Sequence, residues 1–152
     1  MGTARRQREY IGYRVYSTQR ALYRSLEACV AEAGLTPGQW NALSQLAEHG
    51  AMTQRQLAER LQKEQATVTR SLDRLMQRGL VQRTQSPRDR RANIVEITPA
   101  ALKLLTDLEP SVTRRNAEMA ANISDEDLAV FLKVLDQLEA NAEHSAGESE
   151  AS

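Results

Sequence analysis

Between Thr53 and Thr98 the sequence leaves a chain few ways to fold. It reads as a short helix, "QRQLAERL", a tight "QKE" connection, a longer helix, "QATVTRSLDRLMQR", and two β-branched segments on either side of "SPRDRR". Thr53 caps the short helix, which buries Leu57, Ala58 and Leu61, and the longer one turns Val68, Leu72 and Leu75 inward. Val81 marks the first strand, and Ile94, Val95 and Ile97 the second. Helix pairs are common and this turn has no glycine, so the pair alone is equally an αα-hairpin with a solvated face. The strand pair that follows it directly narrows the choice.

A helix-turn-helix followed by a two-stranded wing is a winged helix, mainly α with a small β-hairpin. With Val68, Leu72 and Leu75 inside, the side chains of Gln65, Thr67, Arg70 and Arg74 lie largely on the other side of the second helix. Glutamine pairs bidentately with adenine and arginine with guanine, and a threonine methyl packs on thymine. Thr53 and Gln54, at the start of the short helix, join them as candidate DNA contacts. The run Thr67-Val68-Thr69 lowers helix propensity, so something other than local preference favours it. At the wing tip stand Arg88, Arg90 and Arg91 with Asp89 among them. Such a cluster is either a solvated hairpin tip or a device for reaching a narrow minor groove, whose negative potential favours arginine.

The flanks are helical. Ile11, Val15, Thr18, Leu22, Leu26, Cys29 and Ala33 recur at steps of three or four, one face of a long helix ending at Gly34. Thr36 and Pro37 open the next, with Trp40, Leu43 and Leu46 on its buried side; Gly50 and Gly79 mark two further helix ends. Thr98-Pro99 opens a helix that Pro110 is expected to kink or break. "SDED" at 124–127 resembles a capping box, and Leu128, Phe131, Leu135, Leu138 and Ala142 then form a coiled-coil-like seam. This predicts a DNA-binding domain over 36–98, a helical dimerisation region over 1–35 and 99–143, and a disordered acidic tail over 144–152.

Net charge is zero, but residues 53–91 carry ten Lys/Arg against four Asp/Glu, and residues 107–152 three against eleven. A basic middle on an acidic scaffold suits a polyanion partner, although helix faces also differ in charge by chance. There is no apolar run long enough for a membrane span and no secretory pattern after "MGTARRQREY"; with one cysteine, Cys29, a cytoplasmic protein is expected. His49 and His144 lie far apart, so no metal site, cofactor or catalytic constellation is expected and the chain is not read as an enzyme. A winged helix that binds protein rather than DNA is the alternative. It has no need of Arg70 and the wing arginines together.

The segments "GLTPGQW", "TQRQLAERL" and "EQATVTRSLDRLMQRGLVQRTQSPRDRRANIVEIT" resemble the MarR family of bacterial transcription regulators, its SlyA-like members above all. The resemblance implies a repressor that binds double-stranded operator DNA as a homodimer, one winged helix on each half of a palindrome. It implies that Arg91 enters the minor groove, that Asp89 holds its guanidinium, and that Gln65, Thr67 and Arg70 lie on the recognition helix. The end helices would interleave, with Ile11, Val15, Leu128, Phe131, Leu135 and Leu138 between subunits. Release by a small aromatic or phenolic effector is implied too, in a crevice for which Tyr16, Arg20, Tyr23, Trp40 and Ser44 are candidates; the alternative is that Trp40 and the tyrosines simply fill the junction core. The peroxide-sensing branch has a reactive cysteine where this chain has Gly12, so Cys29, on the apolar stripe, is expected to be buried and inert.

Overall fold

The computed structural model describes residues 10–150, with side chains through Ala146. Threonine opens two of its helices in the same way. Thr36 Oγ1 accepts from Gln39 N–H at 3.2 Å while Gln39 Oε1 accepts from Thr36 N–H at 3.0 Å, and Pro37 takes the first helical position. Thr53 and Gln56 repeat the exchange at 3.1 and 2.9 Å. These reciprocal caps satisfy backbone donors that a helix start leaves unpaired. They begin α2 (Pro37–His49) and α3 (Gln54–Leu61).

Before them runs α1 (Ile11–Val30), finished by a 3₁₀ turn; after them come α4 (Gln65–Gln77), α5 (Pro99–Met119) and α6 (Asp125–Glu150). Gly79, with φ 69°, ends α4: Gly79 N–H bonds Met76 O and Leu80 N–H bonds Leu75 O, both at 2.9 Å. The turn from α3 to α4 makes the same reversal without glycine, holding Gln62 at φ 51°. That left-handed conformation costs a non-glycine residue about 1–2 kcal/mol, which the packing of the two helices must offset.

The sheet has three strands rather than the two expected. β1 (Met52–Thr53), β2 (Val81–Gln85) and β3 (Asn93–Ile97) lie antiparallel in the order β1-β3-β2, with Met52 opposite Val95 and Val81 opposite Ile97. Two residues carry no alternation to read, so β1 is silent in the sequence. Its effect is to join the start of the helix-turn-helix to the inner strand of the wing. Leu43, Leu46, Leu57, Leu72 and Leu75 are wholly buried in one core with Val95 of β3. Arg115 links α5 to α1, its Nε donating to Ser25 Oγ at 3.0 Å and its Nη2 to Leu22 O at 2.7 Å.

Pro110 does not break its helix. α5 runs through it to Met119. Proline removes one N–H and crowds the preceding carbonyl, a cost of about 3 kcal/mol in a helix interior, and the anchoring of both flanks offsets it: Ala101 and Leu108 are buried before the proline, and Arg115 holds α1 after it. The stripe along α1 is covered only at its C-terminal end, where Leu26 and Cys29 are half-buried and Val30 is buried; Ile11, Val15 and Leu22 face outward. Cys29 is thus less enclosed than its place on the stripe suggests.

The chain divides into two compact units, the first ending at Arg115 and the second beginning at Asn116. In the second, Ser124 Oγ accepts from Asp127 N–H at 3.1 Å and starts α6. The helix continues past Glu143 through Glu150, where a disordered tail is expected from the small acidic residues. Alanine and glutamate are good helix formers and extend a helix already nucleated upstream. The stretch "MGTARRQRE" and the last two residues lie outside the described residues, so the reading of the N-terminus does too.

Candidate nucleic-acid interface

Thr67, Arg70 and Arg74 share the exposed polar face of α4, and Gln65 is exposed at its first turn, off that face. The buried Val68, Leu72 and Leu75 fix this rotation. Arg70 Nη2 lies 3.5 Å from Thr67 Oγ1, a contact too long to hold the guanidinium firmly. Thr69, one step off that face, is half-buried and works inward: its hydroxyl donates to Gln65 O at 2.8 Å and accepts from Gln54 Nε2. Gln54 is therefore a brace between α3 and α4 in addition to a candidate contact. The Thr53 hydroxyl is likewise engaged, accepting from Gln56 N–H and donating to Gln56 Oε1 at 3.1 Å.

The wing tip is a built loop. Ser86 N–H bonds Ala92 O at 2.8 Å, Ala92 N–H bonds Asp89 O at 3.0 Å, and Gln85 Nε2 donates to Arg90 O at 2.7 Å. Asp89 Oδ1 accepts from the backbone N–H of Arg91 at 2.9 Å. The expected brace on the Arg91 guanidinium is thus corrected: Asp89 fixes the main chain of Arg91 in an Asx turn. Among the described residues Arg88, Arg90 and Arg91 form no ion pair, and all three are exposed. Asp89→Ala should weaken DNA binding although it makes the tip more positive, while Asp89→Asn, which keeps the acceptor, should bind nearly as wild type. Tighter binding by the alanine variant, in fluorescence anisotropy with labelled DNA, would return Asp89 to the role of a mere countercharge.

Two arginines in the basic stretch are structural, which the sequence does not reveal. Arg83 on β2 reaches back to α4, with Nη1 2.8 Å from Asp73 Oδ1 and Nη2 3.4 Å from Thr69 O. Its side chain is 19% exposed, and its Nε is buried without a partner. This clasp sets the wing against the recognition helix. Arg78 forks onto Gly34 O and Ala33 O, both at 2.8 Å, and ties the end of α4 to the end of α1. The charge count over 53–91 therefore overstates what the surface offers a polyanion.

The five residues expected to share a ligand crevice are split. Trp40 and Ser44 line a groove of about 440 Å³ between α2 and α5, with Leu102, Leu105 and Glu109. Tyr16, Arg20 and Tyr23 line another of about 420 Å³ along α1, with Arg24 and Glu27. A helical stripe read from sequence does not say which face meets which neighbour. Of the seam residues on α6, Leu128, Leu135 and Leu138 are half-buried and Phe131 is 51% exposed; with the exposed Ile11 and Val15 of α1 they leave apolar surface uncovered.

Comparison with known proteins agrees with this architecture. The sequence profile of the MarR family matches residues 35–92. A putative transcriptional regulatory protein for the hcr operon of Thauera aromatica is 26% identical over 129 residues, 84% of this chain and 78% of its own. The PcaV transcriptional regulator from Streptomyces coelicolor, solved with its natural ligand, matches with a TM-score of 0.80 at 24% identity, over 90% of this chain and 96% of that one. A mutant MarR from E. coli, solved with operator DNA, matches with a TM-score of 0.79 at 22% identity, over 84% and 92%. At these identities the two structures establish the winged-helix fold, the helices and the three-stranded sheet together.

Proposed function

We propose that this chain, whose residues 35–92 match the MarR family, is a DNA-binding transcriptional regulator of that family, a cytoplasmic homodimeric repressor of a palindromic operator, released by a small-molecule effector. It acts by binding rather than by catalysis. The observation that carries this reading is the single exposed polar face of α4 set beside an arginine-tipped wing, held there by the Arg83–Asp73 clasp. Gln65, Thr67, Arg70 and Arg74 read base edges in the major groove, and Arg88, Arg90 and Arg91 reach the neighbouring minor groove. Phosphate contacts supply most of the affinity, which falls steeply with salt.

Residues 36–98 form the DNA-binding domain in this reading, and 1–35 with 99–143 the dimerisation region. The uncovered apolar residues of α1 and α6 support a second copy as their partner. The effector is supported by the two grooves, and by the ligand complex of the similarly folded PcaV. Arg70→Ala tests base readout. It should cost about 1–3 kcal/mol and relax preference at one base position per half-site, measured by competition among operator variants selected from random duplexes. A uniform loss across all sequences would assign Arg70 to phosphate alone.

A further inference from the structure

The groove between α2 and α5 is unsuited to the aromatic acids that a regulator of this kind is first expected to bind. Its walls are apolar, from Trp40, Leu102, Leu105 and Val112, and its volume of about 440 Å³ is that of a small-ligand cleft. Its charged groups are both acidic, Glu48 and Glu109, and no lysine or arginine lines it. Among the described residues neither carboxylate pairs with a lysine or arginine; Glu48 has His49, 3.7 Å away.

A carboxylate ligand would enter beside two like charges with no cation to offset them. An organic cation with an apolar body meets both carboxylates and the indole of Trp40, the aromatic ring that attracts cations most strongly. We propose that this groove binds a lipophilic organic cation, an aromatic amine or a quaternary ammonium or phosphonium ion. The proposal rests on the effector reading above and gives that effector its charge.

Trp40 is the chain's single tryptophan, so its emission reports on this groove. In the full-length protein, tetraphenylphosphonium should change Trp40 emission saturably. Tetraphenylborate, of the same shape and opposite charge, and salicylate should bind far more weakly. Glu48→Gln combined with Glu109→Gln should weaken the phosphonium on the order of tenfold, with thermal midpoint and DNA binding unchanged. Arg20→Ala, in the groove along α1, should leave it as wild type. Borate or salicylate binding as tightly as phosphonium overturns the inference, and so does unchanged phosphonium affinity in the double glutamine variant. Emission that follows protein dilution and ignores phosphonium also overturns it, because a second copy then covers the groove. DNA release is read separately: phosphonium that binds beside Trp40 without releasing DNA supports this site and defeats only the effector role.

Discussion

Leu135→Asp combined with Leu138→Asp should give a monomer in sedimentation and lower operator affinity by roughly a hundredfold or more, the factor that linked binding of two half-sites contributes. No residue of α6 is buried among those described, yet Val130, Phe131, Leu132 and Val134 are 46–62% exposed and Leu128, Leu135 and Leu138 only half-covered. An apolar run of this size marks an interaction surface. The spacing of Leu128, Phe131, Leu135 and Leu138 is that of a helix seam. Covering a leucine fully is worth about 1.5–3 kcal/mol, and an aspartate in its place adds a charge that must be desolvated. The wholly buried residues of the winged helix all precede Arg115, so the double variant should keep its far-ultraviolet signal and a cooperative melt. A variant that still sediments as a dimer would place the interface elsewhere.

The second large effect concerns the clasp between wing and recognition helix, and it is asymmetric. Asp73→Ala should cost about 1–3 kcal/mol of stability, below the 3–5 typical of fully buried pairs because Asp73 is 49% exposed. It strands a guanidinium whose side chain is 19% exposed and whose Nε already has no partner. Arg83→Met should cost less. It fills the same space with an apolar chain and leaves behind a carboxylate that water can reach. Both variants should lose DNA affinity, since each frees β2 from α4. Chemical denaturation of the two single variants and the double variant gives the coupling directly. If Arg83→Met proves the more damaging to stability, Arg83 acts through contacts other than Asp73.

The winged helix is legible in the sequence because each of its parts is local. The threonine caps at Thr36 and Thr53, the glycine stop at Gly79 and the inward set Val68, Leu72 and Leu75 are all fixed by near neighbours, and the structure has them as read. What escapes is long-range or atomic. Arg83 and Arg78 look like members of a basic patch, and only the packing of β2 on α4 and the approach of Arg78 to the carbonyls of Ala33 and Gly34 engage them structurally. Asp89 is visible as a charge, but which atom of Arg91 it holds depends on the turn. Pro110 reads as a break because local cost is all that sequence shows, whereas the anchoring on either side of it lies in other helices. The ligand residues share stripes on α1 and α2, yet the fold sends them to separate grooves.

Dimethyl sulfate footprinting tests the central claim most directly, because one reagent methylates guanine N7 in the major groove and adenine N3 in the minor groove. On a duplex selected by the full chain, wild type should protect guanines in two symmetric blocks about one helical turn apart, with protected adenines beside each. Arg70→Ala should lose protection of guanines only, and Arg91→Ala of adenines only. Protection that leaves both grooves open, or an Arg91→Ala pattern that loses guanines instead, would contradict a recognition helix in one groove and a wing in the next.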